Sequence, residues 1–430
     1  MAKTKQGEYL QEILKTSNNY LKDIFEEEEL NNFLKDLNEE IVNPKTKIKR
    51  NLDLNYFLSD KNNAESNLTR DEIIRTFIQI YEKHIKQKYQ KEENPKFSRA
   101  LNNFINKDNN KVKILWGNCL ENLKQLPAES IQLMVTSPPY YNAREYSQWE
   151  NLNKYLADMR EIIKECYRVL DNNHVFVFNV GDIFDNDNLV VKSVWGKRRL
   201  PLGAYFIKIF EEEGFTFIDD FIWDKGQVQS ERHKNGLTPF PFYQYPMNCY
   251  EHILVFHKHR LDKTKFPCPV CGSLKVSGNT QSEVGLQAWE CKNLNCFVRS
   301  KSNRGKRFSL KTNLVQDLKR REENKIPHDL IVKWRRDITK FSPVIKFNSK
   351  GENKLGHTAP FPEDIPEMAV RFFSYEGDVV LDPFAGSFTT AIVANRHGRI
   401  GVGCELRKDL FEKALKNNIK KKGMEFEEYS

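Results

Sequence analysis

The sequence predicts an α/β protein whose core is a mostly parallel, twisted sheet, with a helical N-terminal extension and an inserted metal-binding region. Short apolar runs alternate with amphipathic segments over residues 111–260 and again after residue 343, as in strands joined by crossover helices. Between these stretches lie two closely spaced pairs of cysteines and most of the excess positive charge. We therefore divide the chain into a helical accessory domain (1–110), two halves of one α/β domain (111–260 and 343–430) and an inserted region (261–342).

The first 110 residues predict helices separated by polar loops. Apolar residues recur at helical spacing around residues 9–14 and 73–81, and Pro44 with the basic run 45–50 separates the two groups. This region has neither a pair of histidines nor a glycine-rich loop. We interpret it as an accessory domain without chemistry of its own.

The α/β segments follow in a regular order. Strands are predicted at 112–116, 131–136, 174–180, 215–223 and 253–256, and helices at 120–126, 152–170 and 205–213. After residue 343 the pattern predicts helices over 364–374 and 389–395, strands at 379–381 and 399–404, and a final basic helix. The inserted region shows little strand signal.

Composition excludes several classes of protein. Hydrophobic residues make up 39% of the chain and include 29 Phe, so global disorder is not expected. The mean hydropathy is −0.66 and no run approaches 18 apolar residues, which excludes a membrane span. The first residues lack the apolar stretch of a signal peptide, so a cytosolic protein is expected. Eight cysteines in 430 residues do not form a disulfide scaffold.

The positive charge is concentrated in one segment. Residues 256–340 carry 20 Lys and Arg against 8 Asp and Glu, whereas residues 1–110 are balanced at 19 against 19. A localised basic region indicates a polyanionic partner. The candidate contacts in this segment are Arg299, Lys301, Arg304, Lys306, Arg307, Arg320, Arg321, Lys333, Arg335 and Arg336.

The four cysteines of the insertion predict a zinc site. Cys268 and Cys271 are separated by two residues, and Cys291 and Cys296 by four, with nineteen residues between the pairs. This spacing is close to that of four-cysteine structural zinc sites. With four thiolate ligands the site would have no position for water, so we expect a structural role.

Residues 378–387, Asp-Val-Val-Leu-Asp-Pro-Phe-Ala-Gly-Ser, predict a strand that ends at Asp382 and a small-residue loop that leads into a helix. Such a loop places a ligand at the carboxyl end of a parallel strand, against backbone N–H groups at a helix start. Glu405 lies nineteen residues after Gly386, at the end of the next strand. An acid there can accept the hydroxyl protons of a ribose, so the pattern indicates a nucleoside-cofactor site.

A second motif, Thr136-Ser-Pro-Pro-Tyr140, follows the strand at 131–136. The two prolines stiffen the loop and remove two N–H donors, which leaves carbonyl oxygens as acceptors. With the Ser137 hydroxyl and the Tyr140 ring, the loop offers acceptors for an amino group and a surface on which a flat base can stack.

Taken together and in this order, the two motifs resemble the amino-methylating DNA methyltransferases of the permuted β arrangement. In that family the catalytic Ser/Asp-Pro-Pro-Tyr half precedes target recognition and the Asp-Pro-Phe-x-Gly-Ser-Gly-Thr-Thr cofactor half follows it. Residues 117–119, 250–256 and 357–362 resemble further family segments. The resemblance covers about 110–260 and 356–415, and it implies a Rossmann-like fold.

The resemblance implies S-adenosylmethionine as methyl donor and a base flipped out of double-stranded DNA as acceptor, with direct displacement and no covalent intermediate. The implied catalytic residues are Ser137, Pro138, Pro139 and Tyr140. Ser137 and the Pro138 carbonyl would orient the amine, and Tyr140 would stack on the base. The implied cofactor-binding residues are Asn118, Cys119, Thr136, Pro360, Phe361, Asp382, Pro383, Phe384, Ala385, Gly386, Ser387, Thr389 and Glu405.

Family members with Ser at the first position of the tetrapeptide are mostly cytosine-N4 enzymes, so we favour cytosine N4 over adenine N6. The resemblance also implies a prokaryotic or phage setting and a cognate restriction endonuclease as partner.

Two residues depart from the family pattern. Phe388 replaces the second glycine of the cofactor loop, where a bulky side chain is expected to restrict the approach of the ligand. Asn118 replaces an aspartate, which changes one hydrogen bond to the cofactor adenine. These departures leave open a second interpretation, a zinc-containing DNA-binding protein on a weakened or inactive methyltransferase scaffold. RNA methylation is a third and less favoured interpretation, because a large basic insertion suits recognition of a DNA duplex.

Overall fold

The computed structural model describes residues 21–41, 70–92, 96–141, 148–185, 198–226, 240–241, 249–260, 268, 270–281, 287–309, 323–341 and 362–429. The helices within these ranges are α1 (Glu27–Ile41), α2 (Arg70–Glu92), α3 (Arg99–Asn106), α4 (Cys119–Gln125), α5 (Leu152–Val169), α6 (Leu202–Glu212), α7 (Phe297–Lys301), α8 (His328–Trp334), α9 (Asp364–Phe373), α10 (Thr389–Arg396) and α11 (Lys408–Lys421). None of the described helices is long and apolar enough to cross a membrane.

The strands of the same ranges are β1 (Val112–Trp116), β2 (Ile131–Thr136), β3 (Leu170–Val180), β4 (Ile183–Asp185), β5 (Arg198–Leu200), β6 (Thr216–Asp224), β7 (Tyr250–His257), β8 (Val276–Gln281), β9 (Gln287–Cys291), β10 (Arg307–Ser309), β11 (Ile338–Lys340), β12 (Val379–Asp382), β13 (Ile400–Glu405) and β14 (Phe426–Tyr429). The chain forms two compact units. One combines residues 1–92 with 261–319, and the other combines residues 93–260 with 320–430.

The larger unit is built on a nine-stranded sheet in the order β11-β6-β7-β3-β2-β12-β13-β1-β14. Neighbouring strands are parallel except at β7, which runs antiparallel to both β3 and β6. The predicted mostly parallel sheet is therefore confirmed.

Alternating residues of the central strands supply two cores, one on each face of this sheet. Met134 of β2 and Phe176 of β3 face one core, which α4, α5 and α6 cover with residues such as Leu123, Tyr155 and Phe206. On the opposite face, Leu133, Val135, Val175 and Val177 pack with residues of α8, α9 and α10. The side chains that these strands direct to either face are mostly apolar. Consecutive residues are therefore apolar, which is typical of a parallel sheet covered on both faces.

The smaller unit contains α1, α2 and α7 and the antiparallel sheet β10-β9-β8. The predicted helix around residues 73–81 is confirmed as part of α2. Buried side chains of α1, α2 and the small sheet belong to one core, in which Phe33 and Tyr81 meet edge to face with ring centroids 6.3 Å apart. The proposed helix around residues 9–14 and the break at 44–50 lie outside the described residues.

The structure corrects two expectations about the elements. The insertion contains strands β8, β9 and β10, which are too short and polar to show a period in the sequence. The final element is the strand β14, which follows α11 and pairs in parallel with β1. The two compact units group the chain differently from the proposed domains, since Ser98 hydrogen-bonds to Gln125 within the larger unit and β11 pairs with β6 there.

Candidate active site

The carboxyl ends of β2 and β12 bring the two sequence motifs together. These strands are adjacent and parallel, so Thr136 and Asp382, the last residue of each, lie side by side. The Thr136 hydroxyl donates to Asp382 Oδ1 over 2.5 Å, and both residues are fully buried. The loops 137–140 and 383–388 therefore begin directly after two residues that are hydrogen-bonded to each other.

The loop 137–140 is held by a buried side chain of α5. Tyr155 of α5 donates its hydroxyl hydrogen to the Pro139 carbonyl over 2.9 Å. Within the described part of the chain, the Pro138 carbonyl accepts no hydrogen bond. The Pro139 carbonyl therefore anchors the loop, and the Pro138 carbonyl is left as an acceptor.

The Tyr140 hydroxyl is the centre of a hydrogen-bond network. It accepts from the Gly181 N–H over 2.9 Å and donates to Glu251 Oε2 over 2.9 Å. Lys225 donates to the other oxygen of Glu251, also over 2.9 Å. Burial and the nearby Glu251 carboxylate raise the pKa of Tyr140 well above its usual value, so the phenol stays neutral.

Sequence reasoning missed Gly181, Lys225 and Glu251 as parts of this site. Gly181 follows β3, Lys225 follows β6 and Glu251 lies in β7. Only the order of the strands in the sheet brings these residues to Tyr140. A signal did exist for Glu251, because it lies within the segment 250–256 that resembles the methyltransferase family.

Asp382 has one oxygen without a partner. Its Oδ1 accepts from Thr136 and from the Phe384 N–H over 3.0 Å, whereas Oδ2 is buried and has no hydrogen-bond partner among the described residues. Burial raises the pKa of Asp382 to about 6, against the effect of these hydrogen bonds. A buried acceptor without a partner costs free energy, so this atom marks a position for a ligand donor.

Glu405 closes the loop 383–388 from the next strand. Its Oε2 accepts from the Gly386 N–H over 3.0 Å and its Oε1 from the Arg407 N–H over 2.9 Å. Burial raises the pKa of Glu405 above its usual value. Each carboxylate oxygen has two lone pairs, so each can accept one more hydrogen bond. Leu406, the next residue, is 63% exposed.

Asn118 and Cys119 lie at the end of β1, beside β13. Asn118 caps α4, because its Oδ1 accepts from the Leu120 N–H over 2.9 Å. Burial raises the pKa of the Cys119 thiol to about 12, so this thiol is not a thiolate nucleophile at neutral pH.

Phe388 does not restrict the cofactor loop as expected. Its side chain is fully buried in a core with Val112, Ile114, Leu415 and the loop residue Ala385. The ring occupies the space above Gly403, where an added Cβ would lie 2.7 Å from it. The backbone keeps the left-handed conformation that favours glycine, with φ +60°.

We expect Phe388→Gly to destabilise the protein and to leave the cofactor site unchanged. The lost ring costs about 3–5 kcal/mol, of which about 1–2 kcal/mol is recovered by relief of the left-handed backbone. Denaturant unfolding measures the difference, with Phe240→Gly as control because Phe240 is 73% exposed. Tighter cofactor binding without lost stability would contradict this assignment.

The four cysteines of the insertion form a compact cluster in the smaller unit. Their sulfur atoms lie within 4.8 Å of one another, and Cys271 Sγ is 3.6 Å from Cys291 Sγ. Hydrogen bonds, led by that from the Cys268 thiol, lower the pKa of Cys271 to about 5. The Val270 N–H donates to Cys268 Sγ over 3.4 Å, and Gly272, with φ +72°, turns the chain directly after the first pair.

The candidate basic residues are divided between the two units. Those of the smaller unit are Arg299, Lys301, Arg304, Lys306 and Arg307, and those of the larger are Lys333, Arg335 and Arg336. All of them except Arg299 are exposed. Arg299 is half-buried and donates to the Cys291 carbonyl over 3.3 Å. Arg320, Arg321, Pro360 and Phe361 lie outside the described residues.

Comparisons with known proteins agree with this geometry. The family model N6_N4_Mtase, described as DNA methylase, matches residues 131–416. The type II beta methyltransferase M.BslI of Bacillus sp. (strain NEB-606) is 40% identical over 334 residues, which cover 77% of this chain and 30% of that protein. The type II methyltransferase M.HpaI of Haemophilus parainfluenzae is 25% identical over 313 residues, 70% of this chain and 72% of that protein.

Among solved structures, the putative DNA modification methylase TTHA0409 of Thermus thermophilus is 22% identical. The superposition has a TM-score of 0.48 and covers 74% of this chain and 98% of that chain.

Proposed function

The chain belongs to the N6/N4 DNA methylase family, and on this premise we propose that it transfers a methyl group from S-adenosylmethionine to the exocyclic N4 of cytosine in double-stranded DNA. One observation carries the proposal. The hydrogen bond from Thr136 to Asp382 joins a loop rich in acceptors for an amine to a loop with an unpartnered buried carboxylate oxygen. A site of this kind can hold an amine and a cationic nucleoside side by side.

The residues present fit S-adenosylmethionine, which when bound supplies an electrophilic methyl group. Asp382 Oδ2 would accept from the cofactor's ammonium group, and Glu405 would accept from its ribose hydroxyls. Gly386, Ser387 and Thr389 would line the helix start, where backbone N–H groups favour a carboxylate. Leu406 would pack on the adenine. Asn118 Oδ1 already accepts from the Leu120 N–H at the start of α4, and the fit to the cofactor does not depend on a further hydrogen bond to this oxygen.

The chain's own residues prepare the amine of a flipped base. Ser137 Oγ and the Pro138 carbonyl would accept its two hydrogens, which turns the nitrogen lone pair out of conjugation with the ring. The Tyr140 ring would stack on the base, while its hydroxyl stays hydrogen-bonded to Gly181 and Glu251. None of these roles requires a covalent intermediate.

Cytosine N4 is the preferred acceptor because Ser137 opens the tetrapeptide, and adenine N6 is the alternative. The experiment is methyl transfer from radiolabelled S-adenosylmethionine to unmodified genomic DNA, followed by identification of the methylated nucleoside. N4-methylcytosine supports the proposal, and N6-methyladenine selects the alternative. Absence of any transfer would favour a DNA-binding scaffold. The expectation that Phe388 obstructs the cofactor loop was one argument for an inactive scaffold, and the burial of Phe388 in the core weakens that argument.

We also propose that the cysteine cluster holds a structural Zn²⁺ and that the exposed basic residues bind the target duplex. Four thiolates within 4.8 Å suit tetrahedral zinc and leave no open position for catalysis. The basic side chains would contact phosphates, and some would read guanine edges. A cognate restriction endonuclease would complete a restriction–modification system.

Glu405→Ala is expected to weaken S-adenosylmethionine binding by about 10- to 100-fold, because a charge-assisted hydrogen bond contributes roughly 1.5–3 kcal/mol. Isothermal calorimetry measures the affinity, and circular dichroism checks that the variant is folded. Glu161→Ala on the exposed face of α5 is the matched control. Unchanged affinity in the folded Glu405 variant would contradict the ribose role.

Cofactor affinity should also fall in acid. Asp382 must be ionised to bind an ammonium group, and burial raises its pKa to about 6. Below pH 6 the free protein therefore takes up a proton that binding must displace, and affinity is expected to fall by up to about tenfold per pH unit. Asp382→Asn should bind weakly and lose this pH dependence. A flat profile for the wild-type protein would rule out the assignment of Oδ2.

A further inference from the structure

We propose that Leu294 and Phe297 form an apolar wedge that inserts between base pairs of the duplex bound by the neighbouring basic residues. Leu294 lies between Cys291 and Cys296 of the second cysteine pair, and Phe297 follows that pair directly. The inference rests on the proposed function, and it adds a contact with the base stack to the phosphate contacts proposed above.

Both side chains of the wedge are exposed although they are large and apolar. Leu294 is 75% exposed and Phe297 is 63% exposed. Neither is part of the core that contains Trp289 and Phe308, whereas the next residue, Val298, packs against that core. A single exposed apolar residue needs no explanation, but two within four residues on a basic surface indicate contact with another molecule.

The turn that carries Leu294 is held by its own hydrogen bonds. Asn293 Oδ1 accepts from the Asn295 N–H over 3.1 Å, and the Asn293 carbonyl accepts from the Cys296 N–H, also over 3.1 Å. The Asn293 amide also donates to Cys271 Sγ over 3.6 Å, which ties the turn to the first cysteine pair. Because this backbone is already ordered, insertion of Leu294 costs less conformational entropy than insertion from a flexible loop.

The charge around the wedge indicates its partner. Residues 291–307 contain six Lys or Arg and no Asp or Glu. Lys301 Nζ lies 4.2 Å from the centre of the Phe297 ring, so a positive charge adjoins the apolar surface itself. A polyanion with an apolar interior fits this combination. Double-stranded DNA is such a partner, because its phosphates lie outside and its stacked bases inside.

An anionic membrane also combines surface charge with an apolar interior. The DNA duplex is favoured here because the chain belongs to a DNA methylase family. Apolar side chains that enter a base step unstack it and bend the duplex by roughly 20–90°. Contacts with phosphates alone require no such bend, so bending of the bound DNA distinguishes a wedge from a purely electrostatic surface.

The test compares two variants of the whole protein on a duplex that the wild-type protein methylates. The double variant Leu294→Ser/Phe297→Ser is expected to lose about 10- to 100-fold in DNA affinity, because two apolar side chains no longer leave water. It should also bend the duplex less, as measured by energy transfer between dyes at the two ends, and keep the wild-type salt dependence. Lys301→Gln should instead keep the bend and lower the slope of log affinity against log salt by about 1.

Phe97→Ser is the matched control, because Phe97 is 44% exposed and belongs to the other compact unit. It should leave affinity and bending unchanged, and circular dichroism checks that every variant is folded. A folded double variant that binds and bends DNA like the wild-type protein would overturn the inference, and so would a double variant that loses salt dependence as Lys301→Gln does. If the double variant lost only self-association or binding to phosphatidylserine vesicles, the surface would belong to a second copy or a membrane.

These outcomes leave the methyltransferase proposal intact. A wild-type protein that neither binds DNA nor transfers a methyl group would instead overturn the proposed function, and the wedge with it.

Discussion

Ser137→Ala is expected to lower kcat by on the order of 100-fold or more and to leave cofactor and DNA affinities within about twofold of wild type. The hydroxyl oxygen lies at the end of β2, next to the buried Thr136–Asp382 hydrogen bond. Loss of one preorganised hydrogen-bond partner of a reacting group typically costs 10²- to 10³-fold in kcat. The effect falls on turnover because Ser137 would orient the amine and contact no part of the cofactor.

The control for this change is Ser130→Ala. Ser130 donates to the Pro127 carbonyl over 2.7 Å at the start of β2, on the far edge of the sheet from the site. Single-turnover methyl transfer on a short duplex separates chemistry from product release. Near-wild-type single-turnover rates in Ser137→Ala would remove Ser137 from the mechanism.

The parts of the fold that the sequence predicts are those with strong local patterns. β2 and β12 each contain a run of three apolar residues, 133–135 and 379–381, and the motif that follows each run marks the edge of the sheet where ligands bind. The helix α5 repeats its apolar residues over five turns and begins with an asparagine cap, Asn151. Local signals of this kind are enough to place Ser137, Asp382 and Glu405.

The parts that the sequence does not predict depend on contacts between distant segments. Glu251 meets Tyr140 across 111 positions, and only the antiparallel insertion of β7 between β3 and β6 brings them together. The Phe388 ring can be buried only because Gly403, in strand β13, has no side chain to occupy the same space. Short strands such as β11 are defined by their partner, since three residues show no period.

A second large effect is expected when the cysteine cluster loses a ligand. Wild-type protein should contain about one zinc per chain by elemental analysis, and Cys291→Ser should contain almost none. DNA affinity should fall by on the order of 100-fold or more, with loss of most of the salt dependence that phosphate contacts create. Cys249→Ser is the control for the metal content, because Cys249 is half-buried and lies outside the cluster.

The physical reason is that zinc would hold together strands that bury few apolar side chains of their own and share a core with α1 and α2. Strands β8, β9 and β10 contain 14 residues, and the buried apolar residues among those whose burial is described are Val276, Trp289, Cys291 and Phe308. Binding of a structural zinc contributes folding free energy directly, so its loss should unfold the small sheet, which carries Arg307 and is preceded by Arg304. The cofactor residues Asp382 and Glu405 belong to the other unit, and S-adenosylmethionine affinity should therefore be unchanged. A zinc-free Cys291→Ser protein that still methylates its site at the wild-type rate would show that the cluster has no part in target binding.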